Sequence, residues 1–108
     1  MGVKGSKSTE DGRLAAELLI SRLEPIEGVS SKKMFGGHGI FHEGKMFAII
    51  DSKGVAYFKV DDSNRADYEQ NGAHKHGKMS YYTLPDVVLN DSQALLTWAE
   101  KSIELSKK

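Results

Sequence analysis

The densest run of chemically suggestive residues is Met34-Phe35-Gly36-Gly37-His38-Gly39. Glycines at this density let backbone N–H groups approach a phosphate closely. A phosphate loop, however, opens a helix whose positive end helps hold the anion. Here segments of strand character lie on both sides and no Gly-Lys-Ser/Thr ending follows, so the run reads as a tight turn or β-bulge. Four histidines raise the question of a metal. His38 and His42 are four apart, a spacing that unites them on a helix but separates them by about 13 Å on a strand. His74 and His76 alternate beside Lys75 and Lys78, whose charges repel a cation, and no third ligand follows nearby. The histidines therefore read as solvated or hydrogen-bonded side chains, and neither a metal nor any other cofactor is expected. Asp61 and Asp62 read as helix-capping residues rather than an acid/base pair. No Gly-x-Ser-x-Gly elbow is present, and the absence of cysteine removes disulfides, thiolate metal sites and cysteine nucleophiles together. No catalytic residue is assigned.

Binding chemistry is better supplied. Lys32, Lys33, Arg65, Lys75 and Lys78, with Tyr81 and Tyr82, mix cations and aromatics in a way that can stack on bases or hold an acidic peptide. The plainer arrangement places the aromatics in a half-buried sheet and the cations at its rim. Fifteen basic and fifteen acidic residues cancel, which argues against indiscriminate binding to a phosphate backbone. Three readings follow, and a non-enzymatic regulatory or protein-interaction module leads. The second is a nucleic-acid-binding module using those seven residues on one face. The third is a small-ligand binder or enzyme with a pocket beside Gly36, Gly37 and Gly39.

These residues need elements to position them, and 108 residues suffice for one domain. Residues 1–9 read as a flexible polar tail and 10–108 as the domain. A helix is expected over 10–23, with Leu14, Ala15, Leu18, Leu19 and Leu23 on its buried face, ended by Pro25 and Gly28. Strands are expected over 31–35, 38–42, 45–51 and 55–60, separated by glycine-containing turns short enough to demand antiparallel neighbours. A short helix over 63–71 is expected after an N-cap at Asp62 and before Gly72, then a polar loop over 73–78 and a strand over 79–84 ended by Pro85. The last helix starts near Asn90 or Asp91, burying Leu95, Leu96, Ala99 and Ile103 with Trp98 at the edge. Antiparallel strands with helices packed on them define an α+β fold with a sheet of about five strands. No apolar run approaches the ~20 residues of a membrane span, and the N-terminus lacks the apolar stretch of a secretory signal, so the cytoplasm is the expected address.

Several strings, taken in order, resemble the N-terminal domain of the TfoX/Sxy competence-regulator family. They are Lys32-Lys33-Met34-Phe35-Gly36-Gly37, Gly39-Ile40-Phe41, Gly44-Lys45-Met46-Phe47-Ala48, Tyr57-Phe58-Lys59-Val60-Asp61-Asp62, Asn64-Arg65 and Met79-Ser80-Tyr81-Tyr82, continued by Pro85 and Val88-Leu89. The resemblance spans about residues 10–105 and reads as that domain standing alone. It implies a curved, mainly antiparallel sheet with helices packed on it, like that of type III secretion chaperones. It also implies a regulatory setting, in which longer members promote expression of bacterial competence genes alongside a cyclic-AMP receptor protein. It supplies no catalytic residues. A protein partner is expected, and so is a homodimer, because 55–60 and 79–84 would both make poorly defended sheet edges.

Overall fold

A computed structural model describes residues 10–34 and 36–108, so the tail over 1–9 and Phe35 lie outside the described residues. The elements run α1 (Glu10–Arg22), β1 (Val29–Met34), β2 (Gly37–His42), β3 (Lys45–Ile50), β4 (Ala56–Lys59), α2 (Arg65–Gln70), β5 (Tyr81–Thr83), α3 (Asp86–Leu89) and α4 (Ser92–Ser106). The strands form one sheet in the order β1-β2-β3-β4-β5, and every neighbouring pair is antiparallel. From β1 to β4 the short loops leave no room for a crossover, so sequence order becomes spatial order; the longer connection over residues 60–80, which holds α2, returns β5 antiparallel beside β4. Among the described residues no helix is long and apolar enough to cross a membrane.

Register assigns the two faces. Ile40 sits opposite Ala48, Ala48 opposite Phe58 and Phe58 opposite Tyr82. All four belong to the core that also holds Leu19 of α1, Leu23 just after it, Tyr68 of α2, Val88 of α3, and Leu95, Ala99 and Ile103 of α4. The helices therefore cover this face. Gly39, Ile49, Tyr57 and Thr83 are likewise successive cross-strand neighbours, and by the two-residue period of a strand they lie on the face without helices. One residue breaks the period. Ile40 pairs with Ala48 but Phe41 with Met46, so Phe47 is an extra residue in β3. This bulge turns Phe47 into the helix-side core, where its ring meets Phe58 edge-on at 6.0 Å.

The structure departs from the sequence expectations at four places. Leu14 and Leu18 are exposed (50% and 62%), whereas Ala16, Leu19 and Leu23 are buried. At about 100° per residue, Leu14 and Leu18 lie on the side of α1 opposite that buried line, so a leucine does not by itself mark the packed face. The short helix begins at Arg65, with Asn64 rather than Asp62 at its N-cap position. Asp61 organises the turn instead, its carboxylate accepting from the Ser63 N–H and hydroxyl while Asn64 Oδ1 accepts from the Asp61 N–H. The single-turn α3 was not expected, and it starts directly after Pro85, whose ring fixes a backbone angle compatible with a helix start. Finally, β4 is an interior strand, so the edge argument for 55–60 does not hold.

The N-cap of α4 is Asp91, whose Oδ1 accepts from the N–H groups of Gln93 and Ala94 at 3.0 and 3.1 Å. These donors have no partner within the helix, so Asp91→Ala should cost about 1 kcal/mol in urea unfolding, with the slope unchanged. A loss below a few tenths would show that water replaces the cap.

Candidate functional site

The residues with binding chemistry do not gather on one face. Lys32 and Lys33 are exposed on β1 and point to opposite sides of the sheet, Lys33 with His38 and Ile50 and Lys32 with Gly39 and Ile49. Tyr81 and Tyr82 lie on β5, four strand spacings or roughly 19 Å away, and both are buried. Tyr82 belongs to the helix-side core, while Tyr81 lies on the other face beneath the Lys59 ammonium, 5.3 Å from the ring centre. Arg65, Lys75 and Tyr82 do meet, in a depression of about 280 Å³ shared with Asp61 and Asp62. Its charge is already answered: Arg65 pairs with Asp62 and lies 4.0 Å from Glu69, and Tyr82 donates to Glu69. Lys78 is exposed in the loop before β5.

The Ser63 hydroxyl, then the Ser63 N–H, hold the Asp61 carboxyl below its ordinary value. A depressed carboxylate contributes stability that is fully present above its unfolded pKa and is lost as pH falls through the folded one. Asp61→Asn should therefore lower stability at neutral pH and flatten the acid limb below about pH 4, so that variant and wild type converge as the carboxylate protonates. Parallel acid limbs in variant and wild type would remove Asp61 from the account.

The histidines are dispersed. His38 is buried in β2, His42 is half-buried at its end, and His76 meets the Tyr57 ring edge-on at 4.6 Å. Among the described residues no three histidine, aspartate or glutamate side chains gather as a metal site would require. Beside Gly37 a cavity of about 210 Å³ is lined by Ile49, Ile50, Asp51, His76 and Met79. The Asp51 carboxylate is spent on the N–H groups of Lys53 and Val55 and on the Tyr57 hydroxyl. Asp51 raises the Tyr57 pKa further, but burial is the larger cause. Among the described residues that leaves His76, whose buried Nδ1 has no hydrogen-bond partner, as the one polar lining group of this cavity not already engaged.

The glycine run is a packing device. Residues 35 and 36 join β1 to β2, and Gly36 takes φ +77°. A Cβ on Gly37 would overlap the Ile50 carbonyl oxygen, and one on Gly39 would meet the thioethers of Met34 and Met46 and the Phe41 ring. Met34, Phe41 and Met46 thus roof Gly39 on the helix-free face, with the Lys32 ammonium 5.9 Å above the Phe41 ring.

The two sheet edges are unlike. Along β5, residues 74–76 run as a cover: Lys75 bridges Tyr82, the His76 N–H donates to Tyr81 O at 2.8 Å, and the Thr83 N–H donates to His74 O at 2.9 Å. Nothing among the described residues pairs with the outer side of β1. The phase of its hydrogen bonding follows from its start. The Glu43 N–H donates to Gly28 O at 3.1 Å, so in an antiparallel ladder Ser30, Lys32 and Met34 turn their backbone groups to β2. Val29, Ser31 and Lys33 therefore present theirs outward. Neither Lys32 nor Lys33 pairs with a carboxylate among the described residues. Two adjacent exposed lysines are the signal from which this edge could have been read, whereas the sequence expectation placed edges at 55–60 and 79–84.

The described residues thus form an α+β domain whose antiparallel sheet is helix-covered on one face, sealed at one edge and open among these residues at the other. It belongs to the TfoX N-terminal domain family, whose model matches residues 21–106 of this 108-residue chain. A comparison with curated proteins finds no match.

Proposed function

We propose that this domain is a non-enzymatic regulatory module that acts by binding another protein along β1. The observation that carries the reading is the unlike treatment of the two edges. β5 is closed by the chain's own backbone, while the outward N–H and C=O groups of Val29, Ser31 and Lys33 on β1 meet no partner among the described residues. An exposed edge is a template for an added strand, in which backbone bonds supply affinity and side chains supply selectivity. The lysines on β1 oppose pairing between copies, which favours a different protein over the homodimer. Family membership supports a role in the control of bacterial gene expression, with competence and a cytoplasmic setting as its nearest form.

The test is affinity capture from nuclease-treated extract of the native cell, with mass spectrometry comparing wild type and Ser31→Pro. Proline removes one outward N–H without removing a bond to β2, a position where edge strands tolerate it. A protein retained by wild type and lost by the variant supports the reading. Retention of nucleic acid or a small molecule, or protein capture that ignores the substitution, rejects it.

A further inference from the structure

We infer that the open edge of β1 selects an extended protein segment carrying two consecutive acidic residues with an apolar residue beside them, an inference that rests on the interaction reading above. Lys32 and Lys33 are adjacent, so their side chains leave the strand on opposite faces. A strand added alongside β1 places one residue across from each, and those two residues are adjacent in the added strand as well. Each completes a cross-strand pair of opposite charge. The residue across from Met34 falls on the helix-free face, where Met34, Phe41 and Met46 form a flexible apolar roof over Gly39. Thioether side chains re-pack readily around an incoming apolar group. In an antiparallel addition the segment therefore reads apolar–acid–acid from its N-terminus, and in a parallel one acid–acid–apolar.

The far end of the strand limits where acids are welcome. A groove of about 500 Å³ at the start of β1 is lined by Glu17, Glu24 and Glu27 together with Ile20, Ile26 and Val29. A uniformly acidic chain laid along the edge would meet these glutamates after leaving the lysines, as would a phosphate backbone. The acids are thus confined to the Lys32–Lys33 end, and the edge fits a patterned peptide better than a nucleic acid.

Selection of a displayed library of random twelve-residue peptides against the full chain tests this. The enriched peptides should share an acidic pair flanked by an apolar residue. The synthetic consensus peptide should lose at least about tenfold in affinity for the Lys32→Glu/Lys33→Glu variant, because two attractive cross-strand pairs become repulsive. A consensus with lysines in place of the acids should bind that variant better than it binds wild type. Ser31→Pro should abolish binding while circular dichroism stays native. Should that variant unfold, hydrogen exchange on wild type decides instead, with slowed amides at Val29, Ser31 and Lys33 when peptide is added. Failure to enrich any peptide, a consensus without the acidic pair, or affinity indifferent to the charge swap overturns the inference. So does displacement of the peptide by a single-stranded oligonucleotide, or a two-chain mass near 24 kDa (2 × 11.9 kDa) that vanishes in Ser31→Pro. Edge-dependent capture of a native protein together with a consensus lacking acids would sink the chemistry and spare the interaction reading. An acidic consensus with no edge-dependent native protein would do the reverse.

Discussion

Gly37→Ala should be the most destabilising single-methyl change in the molecule, lowering stability by more than about 3 kcal/mol. Gly37 has no positive φ to protect, so its requirement is purely one of space. A Cβ there would overlap the Ile50 carbonyl oxygen and lie 3.0 Å from the Cα and carbonyl carbon of Asp51. Those are backbone atoms at the end of a paired strand, and they cannot swing aside as a side chain can. Two comparators sharpen the test. Gly44 sits at φ +87° with nothing near its Cβ direction, so Gly44→Ala should cost only the ~1–2 kcal/mol of a left-handed residue. A Cβ on Gly39 meets flexible thioethers at 2.5 and 2.9 Å and the Phe41 ring at 3.0 Å, so Gly39→Ala should fall between. At roughly 4 °C per kcal/mol, the Gly37 variant should melt more than ten degrees below wild type or fail to fold. A Gly37 variant melting at or above the Gly44 variant would mean that the backbones of β2 and β3 do not approach as described.

The strand-rich middle of the chain was legible because its signals are local. Glycine-bearing loops too short for a crossover force antiparallel neighbours from β1 to β4, so there the order along the chain becomes the order in the sheet. Asp91 was legible for a similar reason, since a cap acts on N–H groups two and three residues away. The packed face at the N-terminal helix was legible only in part. Of the expected stripe Leu14, Ala15, Leu18, Leu19 and Leu23, the core takes Leu19 and Leu23, leaves Leu14 and Leu18 exposed, and takes Ala16 in addition. Nothing within the helix itself encodes that choice. The cap of α2 was misplaced because Asp61, Asp62 and Asn64 are all competent cappers, and only the three-dimensional turn decides which oxygen meets which donor.

The candidate surface divides along the same line. The residue types were visible, and their convergence was not. Lys32-Lys33 and Tyr81-Tyr82 look alike on paper, as adjacent pairs within strands. The lysines sit on an edge open to solvent, whereas the tyrosines sit on an edge covered by 74–76 and are themselves buried. Adjacent residues in a strand without a bulge alternate faces, and both pairs lie in regular register, so neither pair can act as a single patch. That geometry weakens a flat, one-sided surface for bases and strengthens an edge that is read from both faces at once. The free β1 edge is where the cations, the unpaired backbone groups and the methionine roof come within one strand spacing of each other.

Phe47→Ala should cost about 3–5 kcal/mol, whereas Met46→Ala, one residue earlier, should cost less than about 1.5. Simple alternation offers no basis for that contrast. Counting back by twos from Ala48 and Ile50, which face the helices, puts Met46 in the core and Phe47 on the opposite face. The bulge reverses the roles near the start of β3. The pairing jumps from Ile40–Ala48 to Phe41–Met46, so Phe47 joins Ala48 on the helix side and Met46 joins the cluster over Gly39. Phe47 is fully buried there, its ring set edge-on to Phe58 at 61° between planes. Deleting it leaves a ring-sized cavity among groups fixed by α4 and the sheet, and collapse cannot refill it. Met46 is half-buried with solvent on one side, so its loss leaves no enclosed void. A double-mutant cycle with Phe58→Ala should return a coupling of about 0.5–1.5 kcal/mol beyond the separate losses, the signature of an edge-to-face pair. Equal costs at positions 46 and 47, or no coupling between Phe47 and Phe58, would mean that β3 runs without the extra residue. The methionine roof would then lose one of its two thioethers to the core, and the partner surface beside β1 would have to be drawn again.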